Sequence, residues 1–151
     1  MMKHTASFAA LLLALARYAS TGAELFVAPV SPNPTPPYSS WATAATNIQA
    51  AVDVAPAGSL VMVSNGVYLG SVVLNKAIVL SSLNGARATL IDGGGTNRCL
   101  SVADGAWVWG FTLTNGYADR GAGVWAAGTN CFLTIETRTI GWHYGHNSAW
   151  I

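Results

Sequence analysis

The chain has 151 residues, of which 52% are hydrophobic and 9% are charged, and its formal net charge is +1. This length and composition are typical of one globular domain with a substantial core. The few basic residues are scattered along the chain and form no basic patch, so nucleic acid is not an expected partner.

The first 23 residues have the pattern of a secretory signal peptide. A cationic start with Lys3 precedes the apolar run Ala6–Ala16, and Thr21-Gly22-Ala23 offers small residues for cleavage after Ala23. The run is too short to span a bilayer comfortably, although an uncleaved anchor or a buried helix stays open as an alternative. We therefore expect a secreted or cell-surface protein with no transmembrane span after cleavage.

The expected mature chain begins at Glu24 and has about 128 residues. Losing Lys3 and Arg17 leaves five of the seven basic residues against six acidic ones, a net charge of −1. The two cysteines, Cys99 and Cys131, are compatible with a disulfide after export and equally with two free thiols in a core.

Two different segments come before the strands. Residues 24–45 contain five prolines between positions 29 and 37 and predict an extended lead-in, not a folded element. Residues 46–55 predict a short helix, which Thr46 and Gln49 would cap and Pro56 would end. Its apolar residues have helical spacing on one face: Ile48, Ala51, Val52 and Ala55.

From Leu60 onward, short apolar runs alternate with Gly- and Asn-rich connectors. Seven runs have strand composition: 60–64, 71–75, 77–82, 88–92, 99–103, 106–114 and 123–127. The connectors are too short for crossover helices, which leaves an antiparallel sandwich or barrel, or a parallel β-solenoid. Continuous apolar runs, and a helix placed before all of the strands, favour the solenoid.

Three of these runs end in Asn-Gly, at 65–66, 84–85 and 115–116. Both residue types enter the left-handed backbone region, so each pair predicts a sharp turn. We interpret the three turns as corners of successive coils. Their unequal spacing of 19 and 31 residues indicates unequal loops, or a coil in which residues 93–95 replace the Asn-Gly corner.

The segment Asn47–Tyr68 (NIQAAVDVAPAGSLVMVSNGVY) resembles the N-terminal entry of the pectin-lyase-like right-handed parallel β-helix superfamily. Ile91–Val102 and Val108–Gly116 are similar to that group's recurring coil segments, so the resemblance covers about residues 47–127. It implies an all-β, right-handed parallel β-helix of about three to four coils with an N-terminal capping helix. Many members act on acidic polysaccharides by lyase or hydrolase chemistry, and others are surface adhesins or secreted repeat proteins.

The tail, residues 128–151, departs from the coil pattern. We expect either a truncated C-terminus, with the chain an N-terminal fragment, or a tail that diverged from its ancestor. An uncapped last coil would then allow self-association. The pair His143 and His146 is interpreted as incidental, because a metal site needs a third ligand.

Lyase chemistry in the resembled superfamily implies carboxylates that hold Ca²⁺ beside an arginine base. The charged candidates are Asp92, Asp104, Asp119, Arg98 and Arg120. Asp92 and Asp104 precede glycines and are interpreted as turn residues. Asp119 and Arg120 are the catalytic candidates, with an exposed ion pair as the alternative. No metal site or cofactor is expected, and Ca²⁺ enters only under the lyase alternative.

Tryptophan supplies the binding hypothesis. Side chains alternate between the two faces of a strand. If Val108 and Val124 point inward, then Trp107, Trp109 and Trp125 point outward, where they are candidates for stacking on sugar rings. The alternative is that some of these rings pack inward or under the tail. We therefore expect a secreted or surface β-helix repeat protein, a carbohydrate-facing or adhesive scaffold without a catalytic site here. The alternative is an N-terminal fragment of a polysaccharide lyase or hydrolase.

Overall fold

The computed structural model describes residues 22–127 and 130–137, which are mostly β-strand. Helix α1 is Ile48–Val54, and a single 3₁₀ turn covers Trp41–Thr43. The strands are β1 Glu24–Val27, β2 Leu60–Val63, β3 Gly66–Leu69, β4 Val72–Leu74, β5 Val79–Ser82, β6 Thr89–Asp92, β7 Leu100–Val102, β8 Trp107–Thr114, β9 Val124–Ala126 and β10 Phe132–Thr137.

Every pairing between these strands is parallel, which confirms the all-β, parallel-sheet class. The antiparallel alternative is therefore wrong for the described strands. One sheet has seven strands, in the order β1-β2-β5-β8-β6-β3 with β10 also on β8, and a second has the order β4-β7-β9. Strands β2, β3 and β4 form one layer, and β5, β6 and β7 form the next layer, each beside its counterpart.

The long strand β8 continues both columns of the larger sheet. Its first residues pair with β5, in register Val79 to Trp107, and its last residues pair with β6, in register Asp92 to Thr114. Gly110, at a φ of 76°, lies between these two parts. A backbone bend at this glycine lets one strand serve both columns.

The core lies between the sheets and is built from alternate residues in matching register. Val61, Leu80 and Val108 are neighbours on adjacent strands, and all three are fully buried. Phe111 is also fully buried. Each such side chain contributes about 1.5–3 kcal/mol relative to an exposed one, so repeated apolar columns supply much of the stability.

Helix α1 covers the first layer, and its apolar face is buried as predicted. It contacts β1, β2 and β4. The predicted cap at Thr46 is wrong, because Asn47 is the N-cap and its side chain accepts a hydrogen bond from the amide of Ala50 at 2.8 Å. No helix in the described ranges has both the length and the apolar character needed to cross a membrane.

Residues 24–45 are partly extended, as predicted, but the prediction that they contain no folded element is wrong. Strand β1 pairs with β2, and its Leu25 and Val27 are buried. The following proline-rich segment turns back on this strand, where the amide of Phe26 donates to the carbonyl of Tyr38 at 2.8 Å. Ala45 then forms a parallel bridge with Val27, so the outer edge of β1 is covered.

A single side chain covers the outer edge of β4. The side-chain oxygen of Gln49 accepts from the amide of Val73 at 2.8 Å, and its side-chain nitrogen donates to the carbonyl of Val73 at 3.3 Å. The Gln49 amide thus takes the place of a neighbouring strand's peptide. Lys76 fixes the same helix from its other end, by donating to the carbonyls of Asp53 and Ala55.

The three Asn-Gly pairs are not equivalent corners. The first two are neighbours, since the side-chain nitrogen of Asn84 donates to the side-chain oxygen of Asn65 at 2.7 Å. The residue that lies against Gly85 in the next layer is Gly110. Asn115 instead adjoins the turn at 93–95, where its carbonyl accepts from the amide of Gly95. The interpretation as three successive corners is therefore wrong for the third pair.

Candidate functional site

A groove of about 580 Å³ lies where the turns after β6 and β8 meet strand β9. Its lining residues come from three separate stretches of sequence: Thr96, Arg98, Tyr117, Ala118, Asp119, Arg120 and Trp125. We call this feature the Arg98–Trp125 groove. It brings together four of the side chains singled out from the sequence, Arg98, Asp119, Arg120 and Trp125.

Arg98 fixes the loop that forms one wall of the groove. Its Nε donates to the carbonyl of Gly121 at 2.9 Å, and one terminal nitrogen donates to the carbonyl of Arg120 at 2.8 Å. The other terminal nitrogen lies 3.5 Å from the hydroxyl of Ser101. A guanidinium has five N–H groups, so this pattern leaves two of them for a ligand.

Two aromatic rings line the same groove. Trp125 is 42% exposed and Tyr117 is 51% exposed. The guanidinium carbon of Arg98 lies 5.5 Å from the centroid of the Trp125 ring, a cation–π contact that fixes the arginine over the indole. The outward orientation predicted for Trp125 is confirmed, and Arg98 covers part of its ring.

Asp119 and Arg120 both lie in the groove wall, beside one another in sequence. Within residues 22–127 and 130–137, no ion pair joins Asp119 to Arg120 or to Arg98, so the ion-pair alternative is wrong for these groups. The backbone of Arg120 has a structural role, because its carbonyl accepts from Arg98.

The other two carboxylates are structural braces outside the groove lining. One oxygen of Asp92 accepts from the amide of Gly94 at 2.8 Å, which confirms the turn interpretation, and the other accepts from the side chain of Asn115 at 3.2 Å. Asp104 instead accepts from the amide of Asn130 at 2.9 Å. That bond ties its turn to the segment before β10.

Trp107 and Trp109 lie elsewhere, on the outer face of the larger sheet. Both are half-buried, and both approach Phe132 of β10, with ring centroids 5.0 Å and 6.4 Å away. Phe132 is in register with Trp107 on the neighbouring strand. The three tryptophans predicted for sugar stacking therefore form two separate surfaces, an aromatic row on the sheet and the groove around Trp125.

No disulfide joins Cys99 to Cys131, so the disulfide alternative does not hold in this structure. Cys99 is fully buried and its sulfur donates to the carbonyl of Thr114 at 3.1 Å. Burial raises the pKa of the Cys99 thiol; the backbone of Gly93 and of Thr114 opposes this rise, and the charge of Asp92 adds to it. This thiol is a core group beneath the groove wall.

The sequence did not single out Thr96 or Tyr117 as groove residues. Tyr117 follows the third Asn-Gly pair directly, and its amide donates to the carbonyl of Asn97 at 2.8 Å, which links the two turns of the groove. A hydrophilic turn with one aromatic residue is the available sequence signal. This signal does not identify the turn after β6 as the one that forms the other side of the groove.

Among the described residues, no group of three or more His, Cys, Asp or Glu side chains is arranged to hold a metal ion. His143, His146 and most of the predicted tail lie outside those residues. Comparison with protein-family models, with curated proteins and with solved structures finds no match to this chain. Function is therefore inferred from the geometry of the site.

Proposed function

We propose that this protein is a secreted or cell-surface scaffold that binds carbohydrate in the Arg98–Trp125 groove. Its fold under this proposal is a right-handed parallel β-helix with α1 as the N-terminal cap. The layered parallel pairing supports that fold, and nearly all crossovers between parallel strands are right-handed. The observation that carries the function is the convergence of exposed rings and hydrogen-bonding groups in one groove.

The lining has the chemistry that a sugar needs. Apolar C–H faces of a pyranose stack on aromatic rings, and Trp125 and Tyr117 present such rings. The remaining N–H groups of Arg98, together with Arg120, favour a saccharide that carries a carboxylate. Asp119 and Thr96 add oxygen acceptors for sugar hydroxyls. Arg98 fixes the geometry of the groove, because its hydrogen bonds to the carbonyls of Arg120 and Gly121 hold the loop that carries Asp119.

The alternative is an N-terminal part of a polysaccharide lyase or hydrolase. It is favoured by one observation, that Asp119 shares the groove with Arg98 and Arg120. A lyase releases unsaturated products that absorb in the ultraviolet, from polygalacturonate or alginate with added Ca²⁺. A scaffold binds these polymers and releases no product, so one absorbance assay separates the two functions.

Binding of the full chain to a panel of neutral and uronic-acid polysaccharides tests the proposal. We expect Trp125→Ala to weaken binding at least about tenfold, since stacking of a sugar on one aromatic ring contributes a sizeable part of a small-ligand affinity. The matched control is Trp107→Ala with Trp109→Ala, which removes the aromatic row and leaves the groove. Unchanged binding in Trp125→Ala, or no binding of any polysaccharide by the parent, would show the proposal to be wrong.

A further inference from the structure

The outer edge of strand β3 has free backbone groups. In a parallel pair, alternate residues direct both N–H and C=O to the same neighbour. The amide of Gly66 donates to the carbonyl of Ala88, and the amide of Gly70 donates to the carbonyl of Asp92. Val67 and Leu69 therefore direct their N–H and C=O groups away from β6, to the side where β3 ends the sheet.

The other two outer edges of this end of the molecule are closed. Ala45 and Tyr38 cover β1, and the side chain of Gln49 covers β4. For β3, in contrast, no hydrogen bond on that side joins Val67 or Leu69 to another of the residues that the structure describes. The fold thus closes two edges with dedicated contacts and leaves the third edge available.

The side chains at this open edge are apolar. Val67 is 54% exposed and Leu69 is 79% exposed, and both lie on the outer face of β3. Natural edge strands are commonly protected by lysine, proline or an inward-pointing charge. The strand Gly66–Leu69 contains none of these protections.

We propose that β3 is a contact between two copies of this chain, paired antiparallel about a twofold axis that passes beside Tyr68. In this register Val67 lies opposite the partner subunit's Leu69, and Leu69 lies opposite the partner subunit's Val67. Residues that form a hydrogen-bonded antiparallel pair exchange two N–H···O=C bonds. The two pairs then satisfy all of the outward-facing N–H and C=O groups of both strands.

A second copy fits this edge because the edge is complementary to itself. The two residues with free backbone groups are two positions apart, which is the spacing between hydrogen-bonded pairs in an antiparallel ladder. The strand carries no charge, so identical strands meet without like-charge repulsion. The exposed Val67 and Leu69 side chains would also pack against each other across the axis, as an isologous contact requires.

The contact is small, so the dimer is weak and depends on concentration. Sedimentation velocity of the full chain, from low to high micromolar concentration, should show a monomer converting to a dimer. The double variant Val67→Lys with Leu69→Lys places like charges opposite each other and should raise the dissociation constant at least about tenfold. Val73→Lys is the matched control, because Val73 is also exposed but lies on the strand that Gln49 covers.

Hydrogen exchange on the unmodified chain provides a second measurement that needs no variant. Exchange of the Val67 and Leu69 amides should slow as concentration rises, whereas the Tyr68 amide, which faces β6, should not change. A parent that stays monomeric, a double variant that dimerises like the parent, or equal loss in Val73→Lys would overturn the proposal. So would protection of Val67 and Leu69 in the monomer, since the chain itself would then cover the edge.

Discussion

The interior columns and the Arg98–Trp125 groove are held in different ways. The interior repeats one contact: an apolar side chain lies above its counterpart in the next layer, as Val61, Leu80 and Val108 do. The groove depends on a few specific hydrogen bonds, above all the two that Arg98 donates to the carbonyls of Arg120 and Gly121 in the groove wall. Stability is therefore spread over many residues, whereas the geometry of the groove is concentrated in one side chain.

The largest effect that separates the two regions is expected from Phe111→Ala. Phe111 is the largest fully buried side chain among the described residues, so its loss should lower the free energy of unfolding by about 3–5 kcal/mol. Chemical denaturation followed by circular dichroism measures this change. The matched control is Tyr117→Ala, which removes an exposed ring from the groove and should weaken saccharide binding while leaving stability almost unchanged. Similar losses of stability in both variants would contradict the distinction.

The second effect is expected from Gly116→Ala, at the junction of the two regions. A Cβ at Gly116 would collide with the carbonyl oxygen of Ala122 and would lie 3.1 Å from the sulfur of Cys99. The loop must shift to relieve this overpacking, at a cost of about 1–3 kcal/mol. Gly123→Ala is the control, because its Cβ would meet only Leu113 at 3.9 Å. Thermal melting compares the stability of the two variants. An equal loss of stability would show that the collision with Ala122 does not account for the effect of Gly116→Ala.

The third prediction concerns Arg98→Met, which keeps much of the side-chain length and removes the charge. Loss of charge-assisted bonds at a partly exposed site should cost about 1–2 kcal/mol, less than Phe111→Ala. Saccharide binding should fall at least about tenfold, because the loop loses its anchor and the ligand loses its cation. Arg87→Met, an exposed arginine in the turn after β5, is the control. Retained binding in Arg98→Met would remove this residue from the site.

The smallest effect is the pH dependence that Cys99 contributes. Burial raises the pKa of this thiol above its ordinary value of 9.0. As pH rises above that value, the unfolded chain loses the proton and the folded chain keeps it, so the free energy of unfolding falls with pH. Denaturation between pH 7 and pH 10 covers approximately the range in which cysteine titrates. Over this range the free energy of unfolding of Cys99→Ala should fall less steeply with pH than that of the parent. A parallel fall in both proteins would assign the dependence to other groups.

The sequence predicted the strands well where an apolar run was long enough to be recognised. All seven runs correspond to strands, β2 and β4 to β9. Strand β1 was missed because four residues beside a proline-rich segment carry too little pattern, although Leu25 and Val27 alternate inward. Strand β3 was missed because it begins at the glycine of an Asn-Gly pair, a signal that was interpreted only as a turn.

The candidate site was predicted less completely. Trp125, Asp119 and Arg120 were named from the sequence, but so were Trp107 and Trp109, which lie on another surface. Periodicity of two identifies outward residues on a strand without specifying which outward residues will be neighbours. Register decides that, and register depends on the lengths of the connecting loops: 19 residues separate Leu60 from Val79, and 28 separate Val79 from Trp107.

The sequence by itself determined the positions of seven of the ten described strands, the apolar face of α1 and the outward orientation of the tryptophans, because these depend on local periodicity and burial. Only the tertiary structure decided that Arg98, Tyr117 and Trp125 share a groove, that Gln49 closes one strand edge, and that β3 remains open. These features join residues that are distant in the chain, as the 24 residues between Gln49 and Val73 illustrate. They depend on how the layers stack, which local patterns do not encode.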